Sequence, residues 1–104
     1  MGGKALAQKL KEFKTRLSKD VSVEKIILFG SRARGKAKRE SDVDLIVVSK
    51  NFKGKKSYER AVGFYRHWNL DYPVDFLCYT PEEFKKLSKM ITIVRQAVRE
   101  GVEI

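Results

Sequence analysis

The sequence predicts an α+β fold, a two-layer α/β arrangement in which a small mixed sheet of about three strands packs with flanking helices. Three observations carry this. Helical and strand periodicities succeed one another in the order helix, strand, loop, strand, helix, strand, helix. Two short apolar runs, Ile26-Ile27-Leu28-Phe29 and Leu45-Ile46-Val47-Val48, lack alternation, as strands buried on both faces do. With 104 residues the chain can bury one modest core, so residues 1–104 read as a single domain.

The elements follow in order. Leu6, Leu10, Phe13 and Leu17 recur at steps of four, three and four, one apolar stripe of a helix from about Lys4 to Lys19. Val23 to Phe29 reads as a strand, which Gly30 ends. Ser31 to Ser41 holds five basic residues and one glycine without apolar period and reads as a loop. Asp42 to Ser49 is a second strand, and Asn51 to Ser57 a basic turn around Gly54. Tyr58, Ala61, Val62, Tyr65 and Trp68 fit the apolar stripe of a helix from Ser57 to about Asn69, stopped by Tyr72-Pro73. Core packing therefore accounts for the three aromatics better than stacking on a base. Val74 to Tyr79 is a third strand. Thr80-Pro81-Glu82-Glu83 has the form of a helix start with a capping box. Phe84, Leu87, Ile91, Val94 and Val98 continue that helix until Gly101.

Twenty-three Lys and Arg against thirteen Asp and Glu give a formal charge of +10. A surplus of this size favours an anionic partner such as a nucleotide, nucleic acid or acidic protein surface. It is also the composition of a heat-adapted, highly charged surface. The single cysteine, Cys78, excludes an intrachain disulfide and lies in an apolar run, as a structural thiol does. No apolar stretch approaches membrane-spanning length, and Met1 to Lys11 lacks a secretory apolar region. These features suit a cytoplasmic protein that does not enter membranes. His67, the only histidine, has no ligand cluster around it in sequence.

Chemistry concentrates at three places. Asp42 and Asp44 stand two apart on a strand, which points both carboxylates to one face. Like charges so close repel unless a cation lies between them, and all-oxygen ligands favour magnesium or manganese. Gly30-Ser31 directly follows a buried strand. A glycine allows close backbone approach, and the next amides and the Ser31 hydroxyl can donate to phosphate oxygens. Arg32, Arg34, Lys36, Lys38 and Arg39 follow, positioned to neutralise a polyphosphate. Alone, the first feature also describes a solvated strand entry and the second a glycine turn. Asp75, inside an apolar strand, is the third. Its expected burial demands a partner, which a shared metal would supply, and this sets it above Asp71 in the preceding turn.

These pieces dictate directions. Gly30 ends the first strand, and Asp42 and Asp44 begin the second. For both to meet one nucleotide, the two strands run antiparallel. Asp75 begins the third strand, which then runs parallel to the second, with the intervening helix as crossover.

Gly30-Ser31, ten residues, then Asp42-Val43-Asp44, and later Asp75, resembles the pattern of the polymerase-beta-like nucleotidyltransferase superfamily. The text Gly30-Ser31-Arg32-Ala33-Arg34-Gly35 is similar to its minimal nucleotidyltransferase (MNT) branch. The resemblance covers Val23 to Tyr79 and implies the nucleotidyltransferase fold. It implies that Asp42, Asp44 and Asp75 hold two magnesium ions, with manganese as a substitute, and that Asp75 helps activate an acceptor hydroxyl. Gly30, Ser31, Arg32 and Arg34 would bind the nucleoside triphosphate. It implies transfer of a nucleoside monophosphate, AMP from ATP, to an acceptor hydroxyl. With all 104 residues in one domain, the acceptor is expected from a partner or a homodimer. In this branch that partner is a small helical HEPN-type protein, modified on a tyrosine within a toxin-antitoxin pair. Two other functions fit the chain: an antitoxin that neutralises its partner by binding alone, and a nucleic-acid binder using the basic surplus.

Overall fold

The computed structural model describes residues 3–30, 32–33 and 42–104, with the side chains of residues 3 and 4 excepted. Ser31, Arg34 and most of the expected 31–41 loop lie outside the described residues.

Helix α1 spans Gly3–Leu17. Its stripe is the expected one: Leu6, Leu10, Phe13 and Leu17 are all buried. Strand β1 covers Lys25–Phe29, β2 Val43–Val48, β3 Val74–Tyr79, and β4 Val102–Glu103. The sheet order is β3-β2-β1-β4. β1 and β2 are antiparallel, and β2 and β3 parallel, the directions the acid and glycine positions require. β4 was not expected. It adds to β1 antiparallel, with Ile27 opposite Glu103 and Leu28 opposite Val102.

The apolar runs of β1 and β2 are buried on both faces. Ile26, Leu28, Val43, Leu45 and Val47 face α1. Ile27, Ile46 and Val48 face the C-terminal helices, packing with Val94 and Ala97. Helices therefore cover both sides of the sheet. Phe76 of β3 gathers the aromatics on the α1 side, with Phe13, Phe64, Tyr65 and Trp68 at ring-centroid distances of 5.3–6.0 Å.

The crossover departs from expectation. Instead of one helix from Ser57 to Asn69, α2 is a single turn, Ser57–Arg60. Gly63 then takes φ +90° and opens a 3-10 turn, Phe64–His67. A left-handed glycine ends α-helical geometry, and the face presented to the core shifts with it. Phe64 is the buried residue, while Tyr58 is 75% exposed and Val62 76%. The stripe of Tyr58, Ala61, Val62, Tyr65 and Trp68 therefore does not form, and core packing explains Trp68 but not Tyr58. Trp68 packs edge-on to Phe13 at 5.1 Å and donates its indole N–H to the Tyr72 carbonyl.

The last expected helix is two. α3 spans Pro81–Ser88, and its capping box is present as expected between Thr80 and Glu83. α4 spans Ile93–Glu100. Thr92 makes the break. Its hydroxyl donates to the Leu87 carbonyl at 2.8 Å and accepts from the Arg95 amide at 3.2 Å. A threonine that satisfies backbone groups on both sides caps a new helix rather than extending the old one. Gly101 ends α4 as expected. It does so in extended backbone. A Cβ there would meet the Ala97 carbonyl, the Leu28 carbonyl and Ile27 Cγ2.

Arg60 ties the crossover to α3. Its guanidinium donates to Glu83 at 2.5 and 3.1 Å and to the Cys78 carbonyl at 3.2 Å. Cys78 is half-buried against the core, and burial pushes its thiol up to about 12, as suits a structural residue. No helix among the described residues is long and apolar enough to cross a membrane.

Candidate active site

Strand alternation decides which side chains meet. On β2, Val43, Leu45 and Val47 turn toward α1, so Asp44 turns to the opposite face with Ile46 and Val48. On β3, Val74, Phe76 and Cys78 turn toward α1, so Asp75 shares the face of Asp44. The strand register sets the rest. Phe29, the last residue of β1, stands opposite Asp44, and Asp44 stands beside Asp75.

Gly30 follows at φ +79°. A Cβ at this position would clash with Oδ2 of the Asp44 carboxylate. Glycine is therefore required by the left-handed backbone, and its missing Cβ leaves the Asp44 carboxylate its place. A cleft of about 400 Å³ opens here, lined by Gly30, Asp44 and Asp75 together with Ile93, Gln96 and Glu100 of α4.

The acids of the cleft repel one another. The Asp44 carboxyl is held above the ordinary aspartate range, first by burial, then by the charge of Asp75, then by that of Asp42. Asp42 is exposed and lies just before β2. Among the described residues no three His, Cys, Asp or Glu side chains gather into one ligand cluster. The donor set still fits a hard divalent cation. Magnesium is commonly held by one or two carboxylates, with substrate phosphates and water completing its shell. Asp44 and Asp75 supply such a pair, and the repulsion that raises Asp44 is what a cation would relieve.

One premise requires correction. Asp75 is exposed, not buried among apolar neighbours. β3 ends the sheet on its side, so an acid at its entry meets solvent. The distinction from Asp71 therefore rests on position rather than burial: Asp75 lines the cleft beside Asp44. Arg32 is half-buried, and its guanidinium lies 4.4 Å from the centre of the Tyr72 ring.

Sequence reasoning missed the α4 wall. Ile93, Gln96, Ala97 and Glu100 stand at positions i, i+3, i+4 and i+7 along the side of the helix that borders the cleft. The signal was the pair Gln96 and Glu100, polar residues on the same side as Ile93 and Ala97. It was hidden once the segment was read as the continuation of α3. His67 lies on the α1 side, where it meets Asp20 at 2.6 Å, and takes no part in the cleft.

The family model for the nucleotidyltransferase domain matches residues 10–99. A protein of Methanocaldococcus jannaschii, MJ0141, provisionally named a protein adenylyltransferase, is 32% identical over 98 residues, spanning 91% of this chain and 94% of its own. MntA of Haemophilus influenzae, given the same provisional activity, is 32% identical over 77 residues, 72% of this chain and 68% of its own. A crystal structure from Sulfolobus solfataricus, provisionally called a nucleotidyltransferase, superposes with a TM-score of 0.56. It is 23% identical, covers 99% of this chain and 87% of its own, and so speaks to fold alone. The chain belongs to the nucleotidyltransferase domain family, in its minimal nucleotidyltransferase branch.

Proposed function

We propose that the enzyme transfers AMP from ATP to a hydroxyl on a partner protein. Its sharpest form is modification of a tyrosine on a small helical HEPN-type protein, within a toxin-antitoxin pair. The observation that carries the reaction type is the meeting of Gly30, Asp44 and Asp75 in one cleft across three adjacent strands. The names of MJ0141 and MntA support a protein acceptor.

In this reading the Gly30 turn, with Ser31, Arg32 and Arg34, holds the outer phosphates of the nucleotide. Asp42, Asp44 and Asp75 would hold magnesium, with manganese as a substitute, and the bound cation would neutralise charge developing at the transferred phosphoryl group. Asp75, exposed beside Asp44, accepts the proton of the incoming hydroxyl. The acceptor oxygen bonds to the α-phosphorus, the bond from that phosphorus to the β-phosphate oxygen breaks, and pyrophosphate leaves with the electron pair. The protein does no covalent work, so positioning and electrostatics carry the rate.

The test is incubation with labelled ATP, GTP, CTP or UTP, magnesium and the product of the adjacent gene, followed by mass spectrometry. Added AMP on a partner tyrosine is expected, absent when Asp42 and Asp44 are both changed to Asn. A doubly substituted protein that still neutralises the partner, with no nucleotide transferred by either form, would establish a binding antitoxin instead.

A further inference from the structure

The inference concerns the acceptor and rests on the protein-acceptor reading above. α4 has a depression on each of two adjoining sides. One is the acidic cleft. The other is an open groove of about 400 Å³ lined by Ile91, Thr92, Arg95, Gln96, Arg99 and Glu100. Gln96 and Glu100 line both, and the Gln96 amide donates to the Glu100 carboxylate at 3.1 Å. A chain lying in the groove is therefore separated from the cleft by that one pair of side chains.

The groove has its own chemistry. Arg95 and Arg99 are four apart on α4, so their side chains emerge one above the other. Neither guanidinium has a carboxylate partner among the described residues. Three other basic side chains do have one: Arg60 pairs with Glu83, Arg66 with Asp20 and Lys25 with Glu103. At one end stands Ile91, 94% exposed and the most exposed large apolar side chain described. Ile93, also exposed, stands on the cleft side of the same helix end. Two unpaired cations beside uncovered aliphatic groups complement a segment that is both acidic and apolar. No aromatic ring lines the groove to stack with a base, which favours polypeptide over nucleic acid.

We infer that the Arg95–Arg99 groove docks the acceptor polypeptide, through acidic and aliphatic side chains that flank its acceptor hydroxyl. The docked hydroxyl then reaches over the Gln96–Glu100 pair toward Asp75. There its oxygen bonds to the α-phosphorus as the proton passes to Asp75 and pyrophosphate departs.

Two fluorescein-labelled heptapeptides with a central tyrosine test this, one flanked by Glu and Leu, the other by Lys and Leu. Binding to the full chain is read by anisotropy, and transfer from ATP with magnesium by mass spectrometry. The acidic peptide is expected to bind at least about tenfold more tightly, a preference of roughly 1.4 kcal/mol. Arg95→Glu with Arg99→Glu is expected to reverse the preference, a gain for the lysine peptide that no unfolded protein can produce. Ile91→Ser weakens the acidic peptide without reversing the preference. Equal binding of the acidic peptide to the charge-reversed protein overturns the inference. So does a decauridylate that binds through the same arginines more tightly than either peptide. Charge-selective docking without transfer sustains the groove and removes the protein-acceptor reading. Transfer that is indifferent to peptide charge and to the arginines does the opposite.

Discussion

At the scale of single residues, Gly30 and Asp44 form one unit. Gly30→Ala puts a methyl group into the Asp44 carboxylate and an L-residue at φ +79°. The left-handed backbone alone costs about 1–2 kcal/mol. We expect transfer to be lost and denaturant stability to fall by at least that amount. Asp44 also sets a pH dependence. Its folded pKa lies above 3.8, so the fold disfavours its ionised form. The metal-free protein is therefore least burdened below 3.8, and Asp44 detracts from stability as pH rises from there through its raised pKa. Asp44→Asn should raise the melting temperature of the metal-free protein at neutral pH while abolishing transfer. The placing of Gly30 beside Asp44 was legible because each sits at a strand end, where local pattern determines direction. Asp75 was found on a premise of burial that the open side of β3 removes.

At the scale of elements, Thr92 is decisive. It caps α4 and holds the end of α3, and so sets the angle of the wall that carries Gln96 and Glu100. Thr92→Ala should cost about 0.5–2 kcal/mol by chemical denaturation, in the range of a lost helix cap. A larger fractional loss of transfer is expected, because the cleft wall moves with the cap. Periodicity alone could not reveal this break. Phe84, Leu87, Ile91, Val94 and Val98 keep helical spacing through it, and only the hydrogen bonds of Thr92 distinguish two helices from one. Gly63 interrupts the crossover for a similar reason, through backbone conformation rather than apolar pattern. β1, β2 and β3 were legible because their runs are continuous and short. β4 is two residues long, too short to show alternation, and exists through its pairing with Ile27 and Leu28.

At the scale of the whole molecule, a chain of formal charge +10 sets Asp44, Asp75 and Glu100 around one cleft. The surrounding field draws polyphosphates, while the local carboxylates repel them until a cation intervenes. Two measurements follow. Magnesium with ATP, at about one hundred times the dissociation constant, should stabilise the protein by about 2.7 kcal/mol. Asp42→Asn with Asp44→Asn should lose that gain, and a chelator should abolish it in the parent protein. Raising sodium chloride from about 0.05 M to about 0.5 M should raise KM for ATP, because the attraction is long-ranged and screened. Net charge was legible from composition, but its distribution was not. Composition counts Arg95 and Arg99 with every other cation, and only the fold distinguishes them from Arg60, whose charge Glu83 already answers.

The contact between Gly30 and Asp44 also bears on how such a protein decays. While the acid remains, a side chain at position 30 must contend with both the backbone angle and the carboxylate. Once the acid is lost, the second of these lifts and only the backbone angle still selects glycine. A lineage drifting from enzyme to pure binder is therefore released in sequence, position 44 first and position 30 afterwards. A descendant that keeps the glycine without the acid has taken the first of those steps.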